Sequence, residues 1–174
     1  MRKSKKPLRI VLFLLLTVFI AGLVVPHHKH MPVKGATVAD YNPESFWHYP
    51  WGKSITHKGV DIFANQGTEV QSATPGIVVF EGRIGMGGEV VLVLGPKWRL
   101  HYYAHLDHRS VQLFSLVSTG KKIGAVGNTG NAAGKPPHLH YSIFSLVPLP
   151  WRIDDAPQGW RKMFYLNPID YFRD

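Results

Sequence analysis

Two histidines stand two residues apart in the stretch PHLHYSIF, at His138 and His140. On a β-strand, residues i and i+2 point to the same side, so both imidazoles project from one face and Leu139 projects from the other. Such a pair is by itself more typical of polar surface than of a site. It becomes informative only if other metal-binding side chains meet it.

A second candidate motif is HKGVD, which contains His57 and Asp61. In a fully extended chain the Cα atoms of these two residues would be about 13 Å apart. Donor atoms that share one zinc ion each lie about 2 Å from it, so the extended form is too long. Gly59 disfavours a helix and allows the chain to bend, which predicts that the two side chains converge.

A third histidine, His105, lies in the segment HYYAHL. The segment is typical of a β-strand, and strict alternation predicts that His101, Tyr103 and His105 share one face. Taken alone, His105 is most simply a structural residue of this strand.

Together the three motifs contain a set of groups that performs a known type of chemistry. His57, Asp61 and His140 provide two imidazoles and a carboxylate, a standard ligand set for catalytic zinc that keeps a fourth position open for water. Such a site lowers the pKa of bound water and polarises a carbonyl group. His105 and His138 remain for proton transfer near neutral pH. The chain has no cysteine, and no serine nucleophile set is evident.

The part of the chain that must position these residues is rich in β-prone runs. Glycine- and proline-containing turns separate the runs, and no long segment after residue 51 carries apolar residues at helical spacing. This pattern predicts an all-β fold, a sandwich or folded sheet. A long aromatic loop is predicted over residues 147–166. The predicted strands lie within residues 68–73, 76–84, 88–95, 99–106, 121–127 and 138–144.

The N-terminal region has the features of a membrane segment. Five basic residues precede an apolar run that, counted from Leu8, is about as long as a bilayer core requires. The basic residues predict a cytoplasmic leader and an exported remainder. A signal anchor is favoured over a cleaved signal peptide, which remains the alternative. The predicted division is residues 1–25 for leader and anchor, 26–50 for a stalk and connecting segment, and 51–174 for the domain.

The charge of the chain excludes one class of partner. The formal net charge is +9, of which the leader supplies five positive charges, so the remainder carries +4. That charge is weak and scattered, and no basic helix or RNA-binding motif accompanies it. We therefore expect no nucleic-acid partner.

The motifs also resemble a known family, the lysostaphin/LytM-type zinc peptidoglycan endopeptidases. The resemblance extends from about Trp51 to Phe172. It rests on H-x-G-x-D at 57–61, Y-x-H-L at 103–106, G-N-T-G at 127–130, P-H-L-H-Y at 137–141 and the closing NPIDYF at 167–172.

This resemblance implies a fold, a cofactor and a reaction. The fold would be an antiparallel β-sheet with an open groove. One zinc ion per chain would be held by His57, Asp61 and His140, and His105 and His138 would be the catalytic pair. The substrate would be the stem peptides of peptidoglycan, whose cross-links would be hydrolysed. The domain would face the periplasm or cell wall from an inner (cytoplasmic) membrane anchor, or would be secreted if the anchor is cleaved.

Two departures from the family and one alternative function remain. Some members carry a tyrosine shortly before the first ligand, where this chain has Trp51-Gly52, so no such role is assigned. The 147–166 loop is longer than usual and would wall the groove or contact a partner.

Relatives that have lost ligands activate cell-wall amidases, so a non-hydrolytic peptidoglycan-binding regulator is the alternative. Retention of all five residues favours the enzyme. The cleaved bond is left open between D-Ala–diaminopimelate, the first choice, and a glycine bridge.

Overall fold

The computed structural model describes residues 6–26 and 30–172. Its N-terminal element is the helix α1, Lys6–Val24, in which no residue is buried. Nineteen residues at 1.5 Å each give a length of about 28 Å, close to the thickness of a bilayer core. Among the described residues this helix is long and apolar enough to cross a membrane, a test that signal sequences also pass. Residues 1–5 of the predicted leader lie outside the described ranges.

Within residues 30–172 the chain is organised around an antiparallel sheet of nine strands. The predicted all-β fold and the antiparallel sheet implied by the family resemblance are confirmed. The strands are β1 (Val60–Phe63), β2 (Glu69–Gln71), β3 (Gly76–Ile84), β4 (Gly88–Gly95), β5 (Arg99–Arg109), β6 (Leu116–Val117), β7 (Lys122–Val126), β8 (His138–Ser145) and β9 (Tyr165–Leu166). Six of them follow the order β1-β8-β5-β4-β3-β6; β7 pairs with β2 and β5, and β9 pairs with β8.

Alternation along β1 and β8 separates the core from the opposite face of the sheet. Val60 and Ile62 on β1, and Leu139, Tyr141 and Ile143 on β8, are fully buried in the hydrophobic core. The residues between them point the other way. The predicted opposition of the two β8 histidines to Leu139 is therefore confirmed.

Strand β5 departs from simple alternation at its histidine. The register against β4 shifts by one residue there, and His105 has φ = +63°. This is a β-bulge, which re-aims a side chain. His105 consequently lines the groove with Tyr102 and Ala104, whereas His101 and Tyr103 are buried beneath the sheet. The prediction that His105 shares a face with those two residues is wrong, because the bulge breaks the two-residue period.

The segments that flank the main strands also pack on the sheet. Val33, Tyr41 and Trp47, which lie within the predicted stalk and connecting segment, are buried. The 147–166 loop forms two 3₁₀ turns, Pro150–Arg152 and Gly159–Met163, and then enters β9. Gln158 and Arg161 of the loop line the groove described next, and Ser45 of the connecting segment contacts His57 behind it.

Candidate metal centre and its groove

Three potential ligand atoms converge on the groove face of the sheet. Asp61 Oδ1 lies 2.7 Å from His140 Nδ1 and 3.2 Å from His57 Nε2, and the two nitrogens are 3.1 Å apart. Donors about 2.0–2.1 Å from one ion at tetrahedral angles are about 3.3 Å from each other. The three atoms therefore have the spacing of one face of a tetrahedral coordination sphere.

Strand pairing brings two of the three side chains together. Asp61 on β1 is directly opposite His140 on β8. His57 precedes β1, and Gly59 lets the segment between them lie close against β8. A Cβ at Gly59 would lie 2.5 Å from the carbonyl oxygen of Tyr141 and 2.9 Å from the His140 ring. Gly59 is thus required for a close approach, in addition to the bend that the sequence predicts.

A backbone hydrogen bond orients the first ligand. The Nδ1–H of His57 donates to the carbonyl oxygen of Ser45 at 3.0 Å, which directs Nε2 towards Asp61 and His140. The ring of Trp51 stacks on the imidazole of His57 with centroids 4.2 Å apart. Such supporting contacts fix the tautomer and orientation of metal-binding histidines.

The two remaining histidines are held in the same manner. The Nδ1–H of His105 donates to the carbonyl oxygen of Thr129 at 2.9 Å, and that of His138 donates to the carbonyl oxygen of Pro136 at 2.8 Å. Their rings are 5.0 Å apart, and the His105 ring is 6.0 Å from that of His140. In a neutral imidazole with hydrogen on Nδ1, Nε2 is a free acceptor. Both histidines can therefore accept a proton.

The electrostatics of the site give these groups the charges that a divalent cation requires. Burial raises the pKa of Asp61, but the close contacts of its carboxylate with the His140 and His57 imidazoles outweigh this and hold the pKa well below its usual range. Burial chiefly lowers the pKa of His140. Burial, then the nearby His140 and His138, lower the pKa of His105 to about 4. At neutral pH the site thus has an ionised carboxylate and neutral imidazoles for His105 and His140, the forms that bind metal or accept protons.

All five predicted site residues line one groove with a volume of about 840 Å³. Its floor is formed by β1, β5 and β8, including Tyr102, whose ring meets the His140 ring edge-on. One bank contains residues of the 51–58 segment, and the other contains residues 131–136. The five residues predicted from the sequence thus lie together in one cleft, which is large enough for an extended peptide.

The 147–166 loop forms part of the first bank. Gln158 Oε1 accepts hydrogen bonds from Lys58 Nζ at 2.6 Å and from Thr56 Oγ1 at 2.9 Å. The indole N–H of Trp47 donates to the carbonyl oxygen of Pro157 at 3.0 Å. Burial, then the charge of Arg161, lower the pKa of Lys58. The loop therefore walls the groove beside the first histidine, one of the two roles predicted for it.

Several residues that line the groove have no role predicted from the sequence, among them Trp51, Lys58, Tyr102, Gln158 and Arg161. Lys58 directly follows the predicted ligand His57, and this adjacency could have indicated from the sequence that Lys58 lies near the site. Gln158 reaches the site across about a hundred residues of sequence, and no local pattern indicates such a contact.

Comparison with known proteins identifies the family and the fold of the chain. Residues 55–147, more than half of the chain, match Peptidase family M23. The catalytic domain of lysostaphin from Staphylococcus simulans superposes with a TM-score of 0.59 at 25% identity, covering 75% of this chain and 90% of that domain.

Two curated relatives show similarity at the sequence level. An L-Ala–D-Glu endopeptidase of Bacillus subtilis is 33% identical over 151 residues, 80% of this chain and 45% of the relative. A DD-carboxypeptidase/endopeptidase of Neisseria meningitidis is 41% identical over 85 residues, 49% of this chain and 19% of the relative. The chain thus spans less than half the length of either relative. The matched family region contains all five site residues, and the chain belongs to peptidase family M23.

Proposed function

We propose that this protein is a zinc-dependent endopeptidase that hydrolyses peptide cross-links of peptidoglycan. The observation that carries the proposal is the convergence of three donor atoms beside two further histidines in one groove. The two curated relatives are named an L-Ala–D-Glu endopeptidase and a DD-carboxypeptidase/endopeptidase. These names support the same substrate class for this chain.

We assign the metal-binding role to His57, Asp61 and His140, and one zinc ion to each chain. Two imidazoles and a carboxylate, spaced as one face of a tetrahedron, fit zinc and leave a fourth position towards the groove. When bound, zinc would acidify a water molecule and polarise the scissile carbonyl.

The other two histidines are assigned the proton transfers. One of His105 and His138 accepts the proton of the attacking water through Nε2, because Nδ1 of each is already bonded to a backbone carbonyl. The imidazolium so formed donates a hydrogen bond through Nε2 to the tetrahedral oxyanion, with the second histidine of the pair beside it at a ring distance of 5.0 Å. The proton then passes to the departing amine, so no covalent enzyme intermediate is needed.

The N-terminal helix supports a proposal for the location of the protein. We propose that α1 is a signal anchor in the inner (cytoplasmic) membrane and that the domain from about residue 51 faces the periplasm or cell wall. Cleavage after the helix would release a secreted enzyme with the same chemistry. The non-hydrolytic amidase regulator is not favoured, because that role does not require all five residues.

The full-length chain in detergent, incubated with purified sacculi, tests the proposal. Mass spectrometry of the released muropeptides would identify the bond, with a zinc chelator as control. We expect cross-linked dimers to disappear and monomers to appear only without chelator. A folded, zinc-loaded protein that leaves sacculi of both wall types unchanged would contradict the proposal.

A further inference from the structure

The groove is positively charged over much of its lining. Among the described residues, four cationic side chains line it: Lys53, Lys58, Lys135 and Arg161. The carboxylate among the lining residues is that of Asp61, which belongs to the donor cluster. The lining therefore has an excess of positive charge, which favours a substrate that carries negative charge.

Lys58 is already committed to the protein. Its Nζ donates to the carbonyl oxygen of Ser54 at 2.8 Å, to Gln158 Oε1 at 2.6 Å and to both oxygens of Thr56. These bonds hold the ammonium group in the bank and fix Gln158 beside it. Lys58 thus supports the wall, and its donors are not directed at a ligand.

Arg161 is in a different position. It lies three residues after Gln158 in the turn Gly159–Met163, and its neighbour Lys162 forms an ion pair with Asp154 within the same loop. The Arg161 guanidinium stacks over the Trp160 ring at 5.1 Å, and no described carboxylate lies within ion-pair distance of it. It is half-buried, faces the groove and retains donors for a ligand.

The surroundings of Arg161 suit an anion. Arg161 lines the same groove as Lys58, whose ammonium is bonded to Gln158, three residues before Arg161 in the chain. A negatively charged group of a ligand in this part of the groove would be attracted by both positive charges. A guanidinium group matches the geometry of a carboxylate and binds it with two parallel hydrogen bonds.

We propose that Arg161 binds a carboxylate of the substrate on the His57 side of the groove. The substrate class is then a peptide with a free carboxylate close to the scissile amide, rather than an uncharged glycine bridge. This inference rests on the proposed function for its substrate. It adds a specificity residue from the 147–166 loop to the site.

Binding measured without turnover tests the inference separately from the activity. The full-length His138→Ala protein in detergent would be titrated by calorimetry with a stem-peptide dimer cross-linked from D-Ala to diaminopimelate, and with the same dimer fully amidated at its carboxylates. Arg161→Gln would be introduced into this background. Arg83→Gln, which removes the same charge at an exposed site outside the groove, is the matched control.

We expect Arg161→Gln to raise the Kd of the acidic dimer about 10-fold, or about 1.4 kcal/mol, and to leave the Kd of the amidated dimer unchanged. Arg161→Lys should raise the Kd by an intermediate amount, since lysine keeps the positive charge but cannot form the two parallel hydrogen bonds of a guanidinium group. An unchanged Kd, or an equal loss for both dimers in a protein that melts normally, would overturn the inference. Failure of the unsubstituted protein to cleave either dimer would refute the proposed function and leave this binding result to be judged by itself.

Discussion

Gly59 is the position where a single methyl group should disturb the metal centre most directly. A Cβ there would lie 2.5 Å from the Tyr141 carbonyl oxygen and 2.9 Å from two atoms of the His140 ring. An ordinary contact begins at 3.4 Å, so β1 and β8 must separate by roughly 0.5 to 0.9 Å in Gly59→Ala. That displacement changes the distance between Asp61 and His140, which are paired across these strands.

The expected magnitudes follow from this displacement. Overpacking of this kind costs about 1–3 kcal/mol, and the reduced entropy of the unfolded chain returns about 0.4–1 kcal/mol. The free energy of unfolding should fall by about 1–2 kcal/mol, and Tm by a few degrees, at about 2–4 °C per kcal/mol for a chain of this size. Zinc affinity should fall about 10- to 100-fold, as for other changes that misplace a ligand.

Competition with a chromogenic chelator would measure the zinc affinity of the full-length protein in detergent, and calorimetry of the metal-free protein would measure Tm. Gly85→Ala is the matched control, because a Cβ at Gly85 meets nothing within 4 Å. The reasoning is refuted if Gly59→Ala binds zinc as tightly as the Gly85→Ala protein and melts at the same temperature.

Two other substitutions separate catalysis from stability. His138→Ala should keep zinc and lower the rate of dimer cleavage about 10²- to 10⁴-fold. The control is His108→Ala, at an exposed site outside the groove, which should change neither the bound zinc nor the rate. Loss of zinc from His138→Ala would exchange the assigned roles of ligand and base. Tyr103→Phe should lower the free energy of unfolding by about 1–3 kcal/mol without loss of zinc, because the buried Tyr103 hydroxyl accepts the Ala73 N–H at 2.9 Å. Calorimetry beside the exposed Tyr49→Phe variant checks this, and an equal Tm for the two proteins would show that the buried bond contributes nothing.

The sequence was informative where the chain is regular. Alternation along β8 predicts that His138 and His140 point away from Leu139, because the side-chain period of a strand is fixed. The convergence of His57 with Asp61 could be inferred from donor spacing and the intervening glycine. These inferences need only local geometry, and they supplied the candidate ligands.

The sequence was less informative where the backbone is irregular or the contact is distant. The bulge at His105 depends on how β5 fits against β4 and β7, and nothing in HYYAHL indicates its positive φ. The carbonyl groups of Ser45 and Thr129 orient the histidines from remote parts of the chain. Backbone acceptors carry no residue signature, so such partners become visible only in three dimensions.

The proposed function depends most on zinc binding at the His57–Asp61–His140 cluster. A zinc titration of the metal-free full-length protein tests this binding most directly. Bound zinc and the rate of dimer cleavage would be measured on the same samples, for the unsubstituted chain and for Asp61→Ala. We predict that activity rises in proportion to bound zinc and saturates at about one ion per chain, as expected for a single three-ligand site. Asp61→Ala should lack both the tight site and the activity. Full cleavage without zinc, or an Asp61→Ala protein that still binds one zinc ion tightly and remains active, would contradict the account.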